Sequence, residues 1–572
     1  MKFWRLNTLL FFILICFTCQ VFAQLTVTNE ITGIQDPALK NAYTRLKVHQ
    51  KMTKGQVTKQ ELEKYYEEGP TEIKKAIAPY GYFKATINAS LSHKGDAWII
   101  HYHVNPGHQL KITELHINIE GNGKYDKPLQ KYLQHLPLNI GDNFNTDTYK
   151  KVESNLLELA QKRAYLKANF TKNKIVINLK RYTCAILMTL DTGPKFFFGP
   201  VTFSKTPLDE KFLRRYLTFK YGSPYSYNQL LTMQQNLSGG GYFESVSVVP
   251  QMDKTVNTYV PTQVNLKMNK KKEYLFGIGY GTNTGLRGTF GYNMRWVNRY
   301  GHKFYLDLTL SGIEQNLAAQ YAIPGKDPAH EKYIITGAIY KQLPKHGDAL
   351  TKSVGVGYVR NYIKWQRTLL LNYEIEKYRF QRHVSYEHSR ILMPSILFTR
   401  TMAKDPIKVE NGSKFTILIR GASQHLASTV SFLQGDLQYK QIFTLAENNR
   451  FVLRGDLGYT TVHIRDRLPL SKNFYTGGID TIRGFSYKGI GPGRYLAIAS
   501  AEYQRRIKGN WYGAIFYDIG NAMDHVNEPL NRGTGIGVVW QSPVGALRVY
   551  IATALSDKDK PLRLEFSLGP DL

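Results

Sequence analysis

Few residues of this 572-residue chain have the type and spacing that chemistry needs. His101 and His103 stand two apart on a stretch that alternates like a strand, so both rings would face one way and could share a metal. No third ligand lies near them, and a zinc site takes at least three protein donors. Cys184 has no adjacent histidine to draw off its proton and reads as a packed thiol. There is no Gly-x-Ser-x-Gly elbow and no Gly-x-x-x-x-Gly-Lys-Ser/Thr phosphate loop. The expectation is a chain that is not an enzyme and that takes no cofactor and no metal. Two charged residues remain. Arg483 sits in the glycine-rich run Thr476-Gly477-Gly478-Ile479-Asp480-Thr481-Ile482-Arg483-Gly484-Phe485, and Asp518 in Phe516-Tyr517-Asp518-Ile519-Gly520. Ala514, Phe516 and Asp518 share one strand parity, while Ile515, Tyr517 and Ile519 form an apolar face on the other. Asp518 therefore points to the enclosed side, where a carboxylate needs a partner, and arginine offers a planar two-pronged donor.

The elements that must position such residues begin with a targeting segment. Lys2 and Arg5 precede the apolar run Leu9 to Phe17, and Val21-Phe22-Ala23 supplies small residues where a signal peptidase reads. Residues 1–23 are expected to be removed on export. Nine apolar residues are too few for a helical membrane span, which takes about 20. The chain is basic, with 75 Lys and Arg against 44 Asp and Glu, but export makes nucleic acid an unexpected partner. With 3 cysteines in all, two of them inside the targeting segment, a disulfide scaffold is excluded.

Residues 24–270 mix helix-period stretches with short strands. Thr58, then Asn145 or Thr146, then Ser226 are candidate caps of helices that carry Leu62 and Tyr65, Val152 and Leu156, and Leu230 and Met233. Each helical region is followed by a similar phrase: Gly81-Tyr82-Phe83, Ala164-Tyr165-Leu166 and Gly241-Tyr242-Phe243. The spacing predicts three tandem α+β modules of strand, two helices and two strands, at 24–108, 109–194 and 195–270. In each, the glycine or alanine ends the second helix.

From residue 271 to 572 the period changes to two. Tyr274, Phe276, Ile278 and Tyr280 alternate with Gly277, Gly279 and Gly281, and Leu562, Leu564, Phe566 and Leu568 with Arg563, Glu565 and Ser567. Such alternation also suits a soluble sandwich. Its recurrence over some 300 residues, with Tyr300, Tyr305, Trp365, Tyr495, Trp511 and Trp540 near strand ends, favours a transmembrane antiparallel β-barrel of about 16 strands.

The phrase Ile482-Arg483-Gly484-Phe485 resembles the (V/I)RGF signature of the BamA/TamA outer-membrane insertase superfamily, and Phe516-x-Asp518-x-Gly520 resembles its F-x-D-x-G strand motif. Arg295-Trp296-Val297-Asn298-Arg299-Tyr300-Gly301-His302 is similar to the opening hairpin of TamA-type barrels, and Phe566-Ser567-Leu568-Gly569-Pro570 to their last strand. Three POTRA-like modules fit the TamA branch, with Ala164 where the module usually has glycine. The resemblance implies an outer-membrane location with the modules in the periplasm. It implies a latch in the lumen, in which Arg483 on an infolded loop meets Asp518, with Ile482, Gly484, Phe485, Phe516 and Gly520 around them. It also implies a lateral seam between the first and last strands, at Tyr274, Phe276, Gly277, Ile278 and Gly279 on one side and Leu562, Leu564, Phe566 and Gly569 on the other. Glycines on the first strand and Gly569-Pro570 on the last should leave that seam short, with Ile278 and Leu564 as the expected facing pair. The implied partners are a TamB-like inner-membrane protein, unfolded outer-membrane or autotransporter clients, and outer-membrane lipid. Rival readings are a general BamA-like assembly factor, a lipid-transport component and a passive porin with periplasmic domains.

Overall fold

The computed structural model describes residues 25–572 apart from 51–55, 95–96, 344–346, 382, 404, 406–407, 463–467 and 544. The expected targeting segment lies outside the described residues. The chain divides into two compact units, one built on the first two modules and one on the C-terminal barrel, with elements of the third module in each.

The repeat of strand, two helices and two strands is present three times. The first module runs Leu25–Thr32, Ala38–Gln50, Lys59–Ile77, Thr86–Lys94 and Ala97–Asn105. The second runs Lys111–Glu120, Lys127–Gln134, Thr146–Lys162, Asn169–Asn178 and Thr183–Asp191. The third has the strands Phe197–Phe203, Phe243–Pro250 and Tyr259–Met268, with helices Glu210–Leu213 and Tyr227–Gly239. In every sheet the last strand in sequence lies between the first and the middle one. It pairs parallel to the first strand and antiparallel to the second in modules one and two. Cys184, Ile186, Met188 and Leu190 line the buried face of one such central strand. Burial pushes the Cys184 thiol up to about 11, so it is a core residue and not a reactive thiolate.

Local chemistry sets the helix ends. The Thr58 hydroxyl accepts from the Glu61 amide (3.3 Å), and the Glu61 carboxylate accepts from the Thr58 amide (2.7 Å), a reciprocal box that holds the Glu61 carboxyl below its usual range. The Asn145 side chain caps the helix of the second module. Gly81, Ala164 and Gly241 all adopt left-handed φ angles (88°, 74° and 71°), so the alanine makes the same turn as the two glycines despite its Cβ. Thr58→Ala should cost about 1 kcal/mol locally, read as roughly fivefold faster amide exchange across residues 59–77 with residues 146–162 unchanged.

The barrel is one antiparallel sheet of sixteen strands. In order they are β1 Lys272–Gly281, β2 Gly285–Met294, β3 Lys303–Ser311, β4 Glu314–Pro324, β5 Glu331–Gln342, β6 Asp348–Asn361, β7 Gln366–Arg379, β8 Glu387–Ala403, β9 Gly412–Ala422, β10 Phe432–Leu445, β11 Asn449–Val462, β12 Tyr495–Lys508, β13 Trp511–Met523, β14 Asn531–Ser542, β15 Gly545–Ala554 and β16 Leu562–Gly569. Its outward parity is apolar along most strands, as hydrocarbon requires. Trp511 and Trp540 stack on that face at 5.7 Å, and Trp365 packs edge-on against Phe415. Tyr305, expected among the girdle aromatics, faces inward. It shares parity with Asp307, lies opposite Asn293 and packs with Ala322 and Ile334. Strand length varies round the wall: β1 to β3 have 10, 10 and 9 residues, whereas β6 to β8 have 14, 14 and 17. No described helix is long and apolar enough to cross a membrane.

The third module's Gly240-Gly241-Tyr242 turn packs on the first barrel turns. The Tyr242 hydroxyl donates to the Gly301 carbonyl (2.5 Å), and the Lys303 ammonium donates to the Gly240 carbonyl (2.6 Å) while lying 4.4 Å from the Tyr242 ring centre. Gly301 has φ +76°, and a Cβ there would meet the Phe212 ring at 2.4 Å, so this junction requires glycine.

Candidate functional site

The loop between β11 and β12 folds back into the barrel. A two-stranded hairpin, Phe474–Thr476 with Ile490–Gly493, braces it. Left-handed turns at Gly477, Gly478 and Gly484 (φ 105°, 101° and 93°) let its tip run against the wall. At Gly484 a Cβ would stand 2.6 Å from the Thr553 backbone of β15, so only glycine allows that approach.

The tip delivers Arg483 to the wall. Its Nε and Nη2 donate to the two Asp518 oxygens at 2.8 Å each, and its backbone amide donates to Asp518 at 3.0 Å. Its Nη1 is ion-paired with Glu502. The guanidinium carbon lies over the Phe516 ring, 3.5 Å from its centre, with the Tyr550 ring centre at 4.8 Å. Ser500 donates to Asp518 (2.6 Å), and Gln504 and Tyr550 both donate to Glu502 (2.6 and 2.7 Å). Arg483 is 1% exposed and Asp518 0%, so one cation is enclosed with two carboxylates and every charge has a hydrogen-bonding partner. Ile482 and Phe485 pack beside the arginine with Phe474, Leu496 and Ile498. Gly520 lets β13 pass close to β12, since a Cβ would meet the Ala497 carbonyl at 2.3 Å.

The structure therefore brings together the residues expected in the lumen, and adds three that sequence reasoning missed. Glu502, one strand away, is the second acid. Glu565, on β16, accepts from the Gly484 amide (2.8 Å). Asn283, just beyond β1, accepts from the Ile479 amide and donates to the Asp480 carboxylate, both at 3.3 Å. The loop is thus bonded to both sides of the place where the sheet closes.

That closure is nearly absent. β1 and β2 pair along all ten residues, but β1 and β16 share no ladder. Among the described residues they are joined by the Thr282 amide on the Phe566 carbonyl (3.2 Å) and the Phe566 amide on the Thr282 hydroxyl (3.3 Å). Below that point a cavity of about 340 Å³ separates Gly277, Gly279 and Gly281 from Ser567 and Gly569. The predicted seam residues lie on this line, but the expected facing pair does not. Phe566, not Leu564, stands beside the end of β1, and Ile278 borders the gap with Leu568, Gly569 and Pro570. Tyr274, Phe276, Ile278, Leu562 and Leu564 all point outward and are exposed. After Pro570 the chain turns inward. There the buried Asp571 carboxylate accepts from Arg450 (2.7 Å) and Arg548 (2.9 Å).

His101 and His103 are engaged elsewhere, His101 with Glu30 (2.8 Å) and His103 with Thr32 (3.1 Å), and no described group of metal-ligating residues clusters.

The family model for the Omp85 superfamily domain matches residues 201–571. The chain belongs to the Omp85 superfamily. A second family model, POTRA domain TamA domain 1, matches residues 28–106. An Omp85 barrel with N-terminal POTRA modules is an outer-membrane protein whose modules stand in the periplasm, so the module-side ends of the strands face the periplasm. The chain is 22% identical over 386 residues to an outer membrane protein assembly factor BamA from Nitratidesulfovibrio vulgaris, covering 60% of this chain and 47% of that one. It is 24% identical over 417 residues to the chloroplastic outer envelope protein 80 of Oryza sativa subsp. japonica, covering 65% and 60%. It thus spans about half to three fifths of the length of these curated relatives. Among solved structures, BamA from Haemophilus ducreyi lacking POTRA domains 1-3 superposes with TM-score 0.65 at 18% identity, over 80% of this chain and 99% of that one, a likeness of fold.

Proposed function

We propose that this Omp85 protein inserts or exports β-barrel and autotransporter-type clients through the seam between β1 and β16. The single observation that carries the reading is the edge of β1, whose ten residues are paired with β2 on one side and meet β16 at one point on the other. A sheet edge in hydrocarbon is costly because no water satisfies its amides, and an incoming client strand satisfies them by pairing. The name of the BamA relative supports assembly as the activity. The match of residues 28–106 to a TamA POTRA domain supports the TamA-type form of it, with three modules divided near residues 108, 194 and 270 and a TamB-like inner-membrane partner. A passive porin fits less well, because the infolded loop occupies the lumen.

A photo-crosslinking residue at Ile278, outward on the free edge and 89% exposed, is expected to capture the terminal strand of a client barrel. The same probe at Ile536, outward in the middle of the paired wall, should capture roughly a tenth as much or less, since a paired strand has no edge to offer. Equal capture at the two positions would overturn the reading.

A further inference from the structure

The outward face of β5 to β8 breaks the apolar rule near its extracellular end. Lys352 on β6 and Arg390 on β8 both stand opposite Ile375 of β7, and Lys377 lies two residues beyond it. The three cations share the outward parity and are exposed around Ile375. Lys341 of β5 and His388 of β8 extend the row on either side, opposite Leu350 and Lys377. One carboxylate on this face, Asp348, is held by Arg379 (2.5 Å) and the Tyr386 hydroxyl (2.8 Å). Lys377 and Arg379 lie over the Tyr386 ring at 4.4 and 4.5 Å. Among the described residues no carboxylate pairs with Lys352, Lys377 or Arg390. The periplasmic rim of the same strands is different. There Arg360 pairs with Glu331 (3.4 Å), and Arg400 lies over Trp365 (5.4 Å).

Height along the wall decides what these cations meet. Tyr333 and Tyr358 form a ring pair at the periplasmic end, and Lys352 is six residues further up β6, about 20 Å at the rise of an extended strand. That is less than the roughly 25 Å of a barrel's apolar band, and strand tilt shortens it further. The ammonium and guanidinium groups therefore reach the outer boundary of the hydrocarbon, not open water, and a cation at that depth calls for an anion. Directly below, these strands and the neighbouring β9 hold an apolar groove of about 760 Å³, lined by Ile335, Val356, Leu371, Pro394, Ile396 and Ile419. Val356 and Pro394 lie four residues beneath Lys352 and Arg390.

We propose that this face is a binding site for a phosphorylated glycolipid of the outer leaflet, of the lipid A type, with its phosphates on Lys352, Lys377 and Arg390 and acyl chains in the groove. Charge sign and depth call for lipid phosphate, and the groove calls for acyl chains. Lys352 and Arg390 are two strands apart, about 10 Å. That separation suits two phosphates on a disaccharide better than the single phosphodiester of a glycerophospholipid. The site lies across the barrel from the β1–β16 seam, so its test is separate from that of the proposed function.

The test uses the full chain in phosphatidylcholine nanodiscs, with retained lipid counted by native mass spectrometry and folding checked by heat-modifiable gel mobility. Bisphosphorylated lipid A is offered alone and against phosphatidylglycerol. Lys352→Gln, Lys377→Gln and Arg390→Gln together should lower lipid A retention by roughly tenfold or more, as loss of its phosphate contacts requires. The charge-keeping set Lys352→Arg, Lys377→Arg and Arg390→Lys should hold it, as should Arg400→Gln on the periplasmic rim. Val356→Trp with Ile396→Trp should lower retention with all charges kept. Wild-type retention by the triple glutamine variant, equal loss in Arg400→Gln, or phosphatidylglycerol binding as well as lipid A would each overturn the proposal.

Discussion

Arg483→Ala is expected to lower barrel stability by about 3–5 kcal/mol, the range for removing one partner of a buried ion pair. The size follows from what stays behind. Asp518 and Glu502 both stay buried, and Arg454, 3.7 Å from Asp518, replaces only part of the lost charge. Phe516 and Tyr550 also lose the cation that lies over both rings. Arg483→Lys should fall between the two, because a point charge cannot fork to Asp518 and reach Glu502 at once. The measurement is the urea midpoint of gel-shift unfolding in detergent. A second arm removes the stranded charges as well: Arg483→Met with Asp518→Asn and Glu502→Gln should regain part of the loss, since an uncharged cluster no longer carries the desolvation cost. An Arg483→Ala protein that unfolds at the wild-type midpoint would show that the loop is held by its other contacts.

The second large effect concerns the seam. Thr282→Cys with Phe566→Cys, in a Cys184→Ala background, places two thiols where the backbone just past β1 is hydrogen-bonded to β16. Once oxidised, the pair should depress client assembly roughly tenfold or more, because strand addition requires the β1 edge to part from β16. Reductant should restore it. The control is Ile536→Cys with Ile551→Cys, an outward pair in register on β14 and β15, which should leave activity unchanged. Assembly at the wild-type rate with the Thr282–Phe566 disulfide intact would remove the seam from the mechanism.

The particular residues show what a linear sequence discloses here and what it hides. The parity of Ala514, Phe516 and Asp518 is local, so the inward aim of Asp518 is readable, and the three Gly/Ala-aromatic phrases mark the modules because each ends a helix in the same left-handed turn. Glu502 and Glu565 are equally inward by parity, but nothing local says that two strands so far along the chain from Arg483 converge on its loop. The meeting of Thr282 with Phe566 is set by the stagger of the whole barrel, which sums offsets over sixteen strands, so alternation within β1 and β16 cannot supply it. Lys352 illustrates another limit. Charges on barrel strands read naturally as lumen residues, yet Lys352 shares the outward parity of Val354, Val356 and Tyr358, and its depth emerges only once the strands are laid side by side.

The unequal strand lengths carry a consequence for the surrounding bilayer. Nine or ten residues on β1 to β3 give a rim about 30 Å long along the strand, whereas the fourteen to seventeen of β6 to β8 give about 45–55 Å. A protein with so lopsided a collar forces its annulus of lipid to slope, full height on one flank and compressed on the other. The compressed flank is the one that holds the exposed edge of β1, so under the proposed function the bilayer is at its thinnest where a client strand would add.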